Sequence, residues 1–416
     1  MNNLERFLKM RKLSINKKYG SAIRFLLFLS IILFFVACKD SGKAKENEIK
    51  LDELCDKVIN IHKSRINKFS LCFGADNETI YNSERDEITK LYQNCLTSIY
   101  EISKYINERK TIEYDGKKAY EIIKKAEDHL NQNCEEIRKK RKSISLLIQK
   151  NLTEIQTSFY GKLKEGETCY HDLECSSGLI CDGGCPGICK KLKQKGESCQ
   201  EDKDCDSYLI CLNGICVESG EEGKPCRDDF HCKGELACLN YECSKIKQEG
   251  EACSTPAECE IFCGDNKLCS GLQISKEGEE CGILSGDKIC DLGLYCKAEK
   301  GNITESHQNT SQDQINMKFI CAPRIKEGQK CKENKTCDIG LYCSTDEGIC
   351  KRLKKEGEKC GTDYVCDLGL ICDREEKICK KPLNTKNRKP KGESCTKDDE
   401  CQSSNCKSQI CCSPFN

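Results

Sequence analysis

The 416-residue chain has no tryptophan, three methionines, seven prolines and five histidines, and only 37% of it is hydrophobic with cysteine included. So little apolar material excludes one large enzyme-type core. No two cysteines stand three apart, so the C-x-x-C pair needed by zinc ribbons, thioredoxin-like redox sites and haem attachment is missing. G-x-S-x-G, H-E-x-x-H and G-x-x-x-x-G-K-[ST] are also missing, and abundant Asp/Glu pairs without structural context carry no catalytic information, so no enzyme is expected. Net charge is absent too, at 68 Lys/Arg against 68 Asp/Glu. Residues 1–37 hold seven of the bases and one acid, which leaves 61 against 67 elsewhere and no pull toward nucleic acid. What is present is cysteine, 39 of them. That number persists only in an oxidising, extracytoplasmic compartment, and it implies a chain stapled rather than core-packed.

The N-terminus reads as an address. Arg6, Lys9, Arg11, Lys12, Lys17, Lys18 and Arg24 precede the charge-free run Phe25–Ala37, whose 13 residues fall short of a membrane span. They match a secretory signal peptide over 1–37, with Met1 and Met10 both usable starts. Phe35-Val36-Ala37-Cys38 resembles the lipobox of bacterial lipoproteins, departing from it at Phe35, where leucine is usual. The resemblance implies a lipid on Cys38 and anchorage to a bacterial membrane, at the outer membrane or cell surface. The alternative is a plain secretory signal with Cys38 an ordinary half-cystine. Parity favours the lipid, because setting Cys38 aside from the 39 cysteines leaves an even 38.

Residues 38–161 show helical spacing: Leu51, Leu54, Cys55, Val58, Ile61; Ile88, Leu91, Cys95, Ile99, Ile106; Ala119, Ile122, Ile123, Ala126, Leu130; and Ile144, Leu147, Ile148, Leu152, Ile155. Three or four antiparallel helices are expected. Ser83 with Asp86 reads as a capping box opening the second, and Phe73-Gly74-Ala75-Asp76 and Asp115-Gly116 supply turns. Cys55, Cys72, Cys95 and Cys134 allow three pairings; a hairpin turning near residue 75 brings Cys55 opposite Cys95 and leaves Cys72 for Cys134.

From residue 162 the chain repeats as K-x-G-E-x-C-x5-C-x-x-G-L-x-C-x4-7-C, led by Gly166, Gly196, Gly223, Gly250, Gly278, Gly328, Gly357 and Gly392. The eight cassettes span about 162–190, 191–217, 218–244, 245–270, 271–322, 323–351, 352–380 and 381–416. The fifth carries a polar excursion from Lys297 to Ile320, and Lys380–Lys391 forms a linker before the last. Six cassettes hold four cysteines; the first and last hold five, through Cys185 and one of Cys411 and Cys412. A unit this short buries too little apolar surface to fold unaided, so its cystines supply the stability. The expected half-cystines include Cys169, Cys175, Cys181 and Cys189; Cys199, Cys205, Cys211 and Cys216; Cys331, Cys337, Cys343 and Cys350; and Cys360, Cys366, Cys372 and Cys379. First-to-third with second-to-fourth is preferred among the three pairings. Gly340-Leu341-Tyr342-Cys343 with Gly348-Ile349-Cys350 reads as a small β-hairpin, and each leading glycine as a positive-φ turn. The fold class is thus an all-α bundle followed by a disulfide-rich array of short hairpins. With short joins and a swinging last unit, eight cassettes in series reach about 160 Å.

Gly357-Glu358-Lys359-Cys360, Tyr364-Val365-Cys366, Asp367-Leu368-Gly369-Leu370-Ile371-Cys372 and Lys377-Ile378-Cys379, with seven looser copies, resemble the Dickkopf N-terminal cysteine-rich module found in tandem in bacterial cysteine-rich lipoproteins. The animal family acts as secreted ligands of receptor ectodomains. A match made of cysteines and turn glycines carries no receptor-contacting residue with it, and the family's second, colipase-like domain is not recognisable.

Other candidates are weaker. Asp202, Asp204 and Asp206 open like a calcium loop, but Ser207 and Asn213 stand where its glycine and glutamate belong, so a solvated acidic turn is the reading, and no metal or cofactor is expected. Arg138, Lys139, Lys140, Arg141 and Lys142 offer a polyanion contact or a solvated helix face. Sequons at Asn77, Asn151, Asn302, Asn309 and Asn334 matter only in a glycosylating host. The expected function is a lipid-anchored, surface-facing protein whose array binds an extracellular protein or glycan, with the membrane as second partner. The alternatives are a structural envelope stalk and a multi-unit protease inhibitor.

Overall fold

Gly74 ends the helix Leu54–Phe73 in the left-handed region at φ 63°, and the local sequence accounts for the helices on either side of it. The computed structural model describes residues 47–75, 77–183, 186–282, 288–300, 317–333, 336–382, 393–397, 400–401, 406–407 and 410–411. Residues 1–37, where a signal peptide is expected, Cys38, Cys185, Cys412, residues 383–392, and Asn302, Asn309 and Asn334 lie outside them. Helices α1 (Leu54–Phe73), α2 (Asn77–Lys104), α3 (Gly116–Leu130), α4 (Cys134–Lys139) and α5 (Arg141–Glu154) form the N-terminal part. α2 already begins at Asn77, so Ser83 stands inside it and the expected capping box is not its start. Elsewhere the caps follow the sequence: Asp115 accepts from Lys117 N and Lys118 N, and Asn133 from Glu136 N. Past α2 a π-helical turn, Tyr105–Arg109, leads into β1 (Ile112–Tyr114), which pairs antiparallel with β2 (Phe159–Gly161).

The bundle closes on Ile122, Ile123, Ile137, Ile144 and Ile148, all at most 4% exposed. Removing each such side chain from water contributes roughly 1.5–3 kcal/mol. Cys55–Cys95 ties α1 to α2, and Cys72–Cys134 ties the end of α1 to the start of α4.

Each cassette centres on one antiparallel hairpin preceded by a turn, with a buried cluster made chiefly of cystine; cassette one adds a third strand, Thr168–Cys169, and cassette five a parallel pair, Gln273–Ser275 with Lys288–Cys290. In the sixth, Leu341–Ser344 pairs with Ile349–Arg352, Cys343 opposite Cys350. Cassettes two to seven all join first to third and second to fourth cysteine, for example Cys360–Cys372 and Cys366–Cys379. The first cassette joins Cys169 to Cys181 and Cys175 to Cys189, and the last joins Cys401 to Cys411. The seven described leading glycines have φ from 79° to 89°, six of them with nothing near the place of a Cβ, so the backbone conformation rather than space demands glycine.

The cassettes do not run out as a rod. Residues Ile49–Asn416 form one compact unit, because the array folds back and makes a circuit of the helices. Cassette one meets the π-turn after α2, three and four meet α5, five meets α4, six meets the α1–α2 turn, and seven and eight meet α1 and α2. Gly161 and Gly74 mark how close the approach is. A Cβ on Gly161 would stand 2.1 Å from Cys175 O, and one on Gly74 would stand 2.9 Å from Cys290 Cβ. The last cassette is held at both ends of its linker, by Lys381–Asp56 at 2.8 Å and by Lys104–Glu393.

Candidate interaction surface

Cations from the helices and the π-turn meet five cassettes near the second cysteine, four of them at backbone carbonyls and one at a carboxylate. Arg109 Nε donates to Glu174 Oε1 at 2.9 Å in cassette one. Lys150 Nζ donates to the carbonyls of Cys232, Gly234 and Leu236 at 2.7, 2.9 and 2.6 Å in cassette three. Lys142 Nζ reaches Pro256 O and Ala257 O in cassette four, and Arg138 bridges Cys72 O and Cys290 O at 2.6 and 3.3 Å in cassette five. Arg85 donates to Asp363 O, Cys366 O and Tyr364 O at 2.7, 3.1 and 3.4 Å in cassette seven. Charge-assisted bonds are the strong kind, and those of Arg85 to Cys366 O and of Arg138 to Cys72 O and Cys290 O are buried. Apolar plugs accompany them: Leu368, 1% exposed, joins Ile59, Ile88 and Tyr92, while Leu146 packs with Ala237 and Ile246.

Cassette two is the exception, since no described hydrogen bond or ion pair joins it to a helix. Its turn is met by cassette three: Arg227 Nη1 lies 3.1 Å from Asp202 and Nη2 donates to Cys211 O. The acidic residues there serve the turn itself. Asp202 accepts from Cys211 N, Asp204 from Gln200 N and Glu201 N, and Asp206 from Ser207 N.

Cassettes two and three also carry a run of exposed apolar side chains: Tyr208, Leu212, Ile215, Phe230 and Tyr241. Two of them are costly to place. The Leu209–Leu212 and Ile215–Glu218 hairpin turns on Asn213-Gly214, with φ 53° and 79°. The corresponding hairpin of cassette three turns on Asn240-Tyr241, with φ 53° and 65°. Both central residues of such a turn need positive φ, so Tyr241 stands where glycine belongs and is 80% exposed. Tyr208, at φ 60° and 53% exposed, occupies the column that Gly178, Gly293, Gly340 and Gly369 fill in other cassettes. A non-glycine residue there costs of order 1–3 kcal/mol, and neither ring is repaid by burial. Sequence reasoning missed both tyrosines; aligning the cassettes column by column would have exposed them.

The basic run does not form one surface. Arg138 and Lys142 are engaged with carbonyls as above, and Lys139 pairs with Glu135 at 2.8 Å. Arg141 lies 4.9 Å over the Phe73 ring, and Lys140 caps the break between α4 and α5. α4 and α5 aim these side chains in different directions, Arg138 at cassette five and Lys142 at cassette four. Asn151 Nδ2 is buried without a hydrogen bond, so that sequon is closed to an enzyme. Groups of three cysteine sulfurs lie close together in several cassettes, such as Cys199, Cys205 and Cys216, but as cystine they offer no thiolate to a metal. Among the described residues no helix is long and apolar enough to cross a membrane.

Comparison with known families finds a match to the Dickkopf N-terminal cysteine-rich region over residues 168–217. It covers cassettes one and two, and is a likeness of that part of the chain to a non-enzymatic, protein-interaction type of domain. Comparison with curated proteins finds no match. Comparison with solved structures finds none.

Proposed function

We propose that the chain is a lipid-anchored, non-enzymatic interaction protein that meets an extracellular protein or glycan through cassettes two and three. The observation that carries this reading is the pair of exposed tyrosines at positive φ: Tyr208 in a column that Gly178, Gly293, Gly340 and Gly369 fill elsewhere, and Tyr241 in a column shared by Gly214 and Gly348 but also by Lys267 and Lys377. Tyr208 meets Lys233 at 4.7 Å from its ring centre, yet both tyrosines stay more than half exposed, and strain retained with so little burial points to selection for something outside the fold. Tyrosine suits either partner class, with a rigid apolar body and a hydroxyl at its tip. The disulfides place the array in an oxidising compartment, and Cys38 supplies the anchor. A stalk would need length, which cassettes packed round helices do not provide.

The test is a binding screen of the lipid-free chain against extracellular proteins and glycans, run beside a Tyr208→Gly/Tyr241→Gly variant. A ligand captured by the wild type and lost by the variant, with disulfides unchanged, supports the reading; equal capture moves the surface elsewhere. Metabolic labelling with a fatty acid, lost in Cys38→Ala, tests the anchor separately.

A further inference from the structure

A cavity of about 530 Å³ opens between α1, α5 and cassette four, away from cassettes two and three. Its apolar wall is Ile66, Phe69, Phe73 and Ile261. Its cationic wall is Arg65 and Arg141, and neither makes a hydrogen bond or ion pair with any described residue. The other charges are accounted for. Lys142 is bound to the carbonyls of Pro256 and Ala257, and Glu260 accepts from Lys142 N and Ser143 N at 2.9 and 3.1 Å and from the Ser143 hydroxyl. Glu84, on α2, lines the cavity without pairing with either arginine. Arg141 is exposed as a residue, but its guanidinium rests on Phe73, and partial desolvation there lowers its pKa. A guanidinium remains charged in proteins, so two cations outside any ion pair, against the single remaining carboxylate of Glu84, leave a net positive charge at an apolar slot of ligand size.

We infer that this cavity binds a single-chain amphiphile with one anionic head, carboxylate or phosphate, the head meeting Arg65 and Arg141 and the chain lying on Ile66, Phe69, Phe73 and Ile261. Guanidinium recognises either head through paired N–H donors. The aromatic and aliphatic wall selects the tail, and neither part of the site suffices alone.

Calorimetry on the full chain tests this with four probes below micelle-forming concentration: dodecanoate, dodecyl phosphate, dodecanol and inorganic phosphate. One or both of the charged amphiphiles should saturate one site, and which one does identifies the head. Dodecanol and inorganic phosphate should bind at least about tenfold more weakly. Arg65→Gln and Arg141→Gln should each weaken the charged amphiphile by about tenfold or more. Should a variant fail to fold, the wild type still decides: the bound amphiphile should protect Arg65 and Arg141 from a dicarbonyl arginine reagent, read by peptide mass. Dodecanol binding as well as dodecanoate, affinity unchanged in folded variants, or arginines modified equally with and without amphiphile would each overturn the proposal. Because the screen on Tyr208 and Tyr241 uses different residues, either result stands without the other.

Discussion

In the helical part, Ile137 and Ile148 are fully sealed by other side chains, whereas in cassette two the buried cluster is Cys199, Cys205, Cys211 and Cys216 with Leu209 against it. One region is held by apolar area removed from water and the other by covalent bonds. The helices can therefore fold as a body and offer a surface, while a cassette has little beyond its cystines until it docks. This division explains why cations on the helices, rather than cassette-to-cassette contacts, set the path of most of the array.

Reduction should separate the two regions most sharply. A disulfide contributes about 2–4 kcal/mol to a small domain, and every cassette from two to seven has two of them. Under mild reductant, amide protection should vanish from Cys199–Cys379 while much of α3 and α5, which contain no cysteine, persists in hydrogen exchange. Loss of both together would mean the helices depend on the array. Thiol titration of the denatured, unreduced chain should find few reactive groups.

Ile148→Ala attacks the other side of the comparison. It opens a hole in the apolar core and should cost about 2–5 kcal/mol in denaturant unfolding, with the cystines intact.

Acid should act on the helices through His62. Burial, with Arg65 adding like-charge repulsion, pushes its imidazole down to about 4 from 6.5. The unfolded chain takes up that proton near pH 6.5 and the native chain only near 4, so native stability falls as pH drops through this window and levels off below it. The loss is up to about 3 kcal/mol, and denaturant titrations of His62→Gln should show a smaller drop between pH 7 and 4.

Lys150→Met leaves three carbonyls of cassette three without their donor. About 1–3 kcal/mol of docking should be lost, seen as faster exchange in residues 218–244 with the helices unchanged. The smallest effect should come from Tyr241→Gly, a stabilisation of about 1 kcal/mol or less as the turn relaxes.

Much of the fold is legible in the sequence because its rules are local. The cysteine spacing places Cys343 opposite Cys350, the repeated Gly-Leu-x-Cys marks a hairpin, and the three- and four-residue apolar spacing marks the bundle. The docking is not legible, because Arg85 and Cys366 stand 281 residues apart and nothing near either announces the other. A lone arginine on a helix reads as solvated until the carbonyls that receive it are known. Ser83 failed as a helix start for a related reason: a capping signal is followed only when the chain before it is not already helical.

The recurring cation at the turn before the second cysteine also bears on how such a chain can change length. Arg109, Lys150, Lys142, Arg138 and Arg85 act as numbered pegs, each fitted to the cassette that arrives there. Deleting cassette four would bring the fifth, with its long excursion, to the peg at Lys142 and shift every later unit out of place. Duplication meets the same barrier. Cassettes six and eight are tied to the helices by other contacts, Arg324 to Ala75 O and Lys104 to Glu393, whereas no described hydrogen bond or ion pair ties cassette two to a helix. A unit can therefore be exchanged, lost or multiplied there while the rest keep their positions, and the unit there carries one of the two exposed tyrosines.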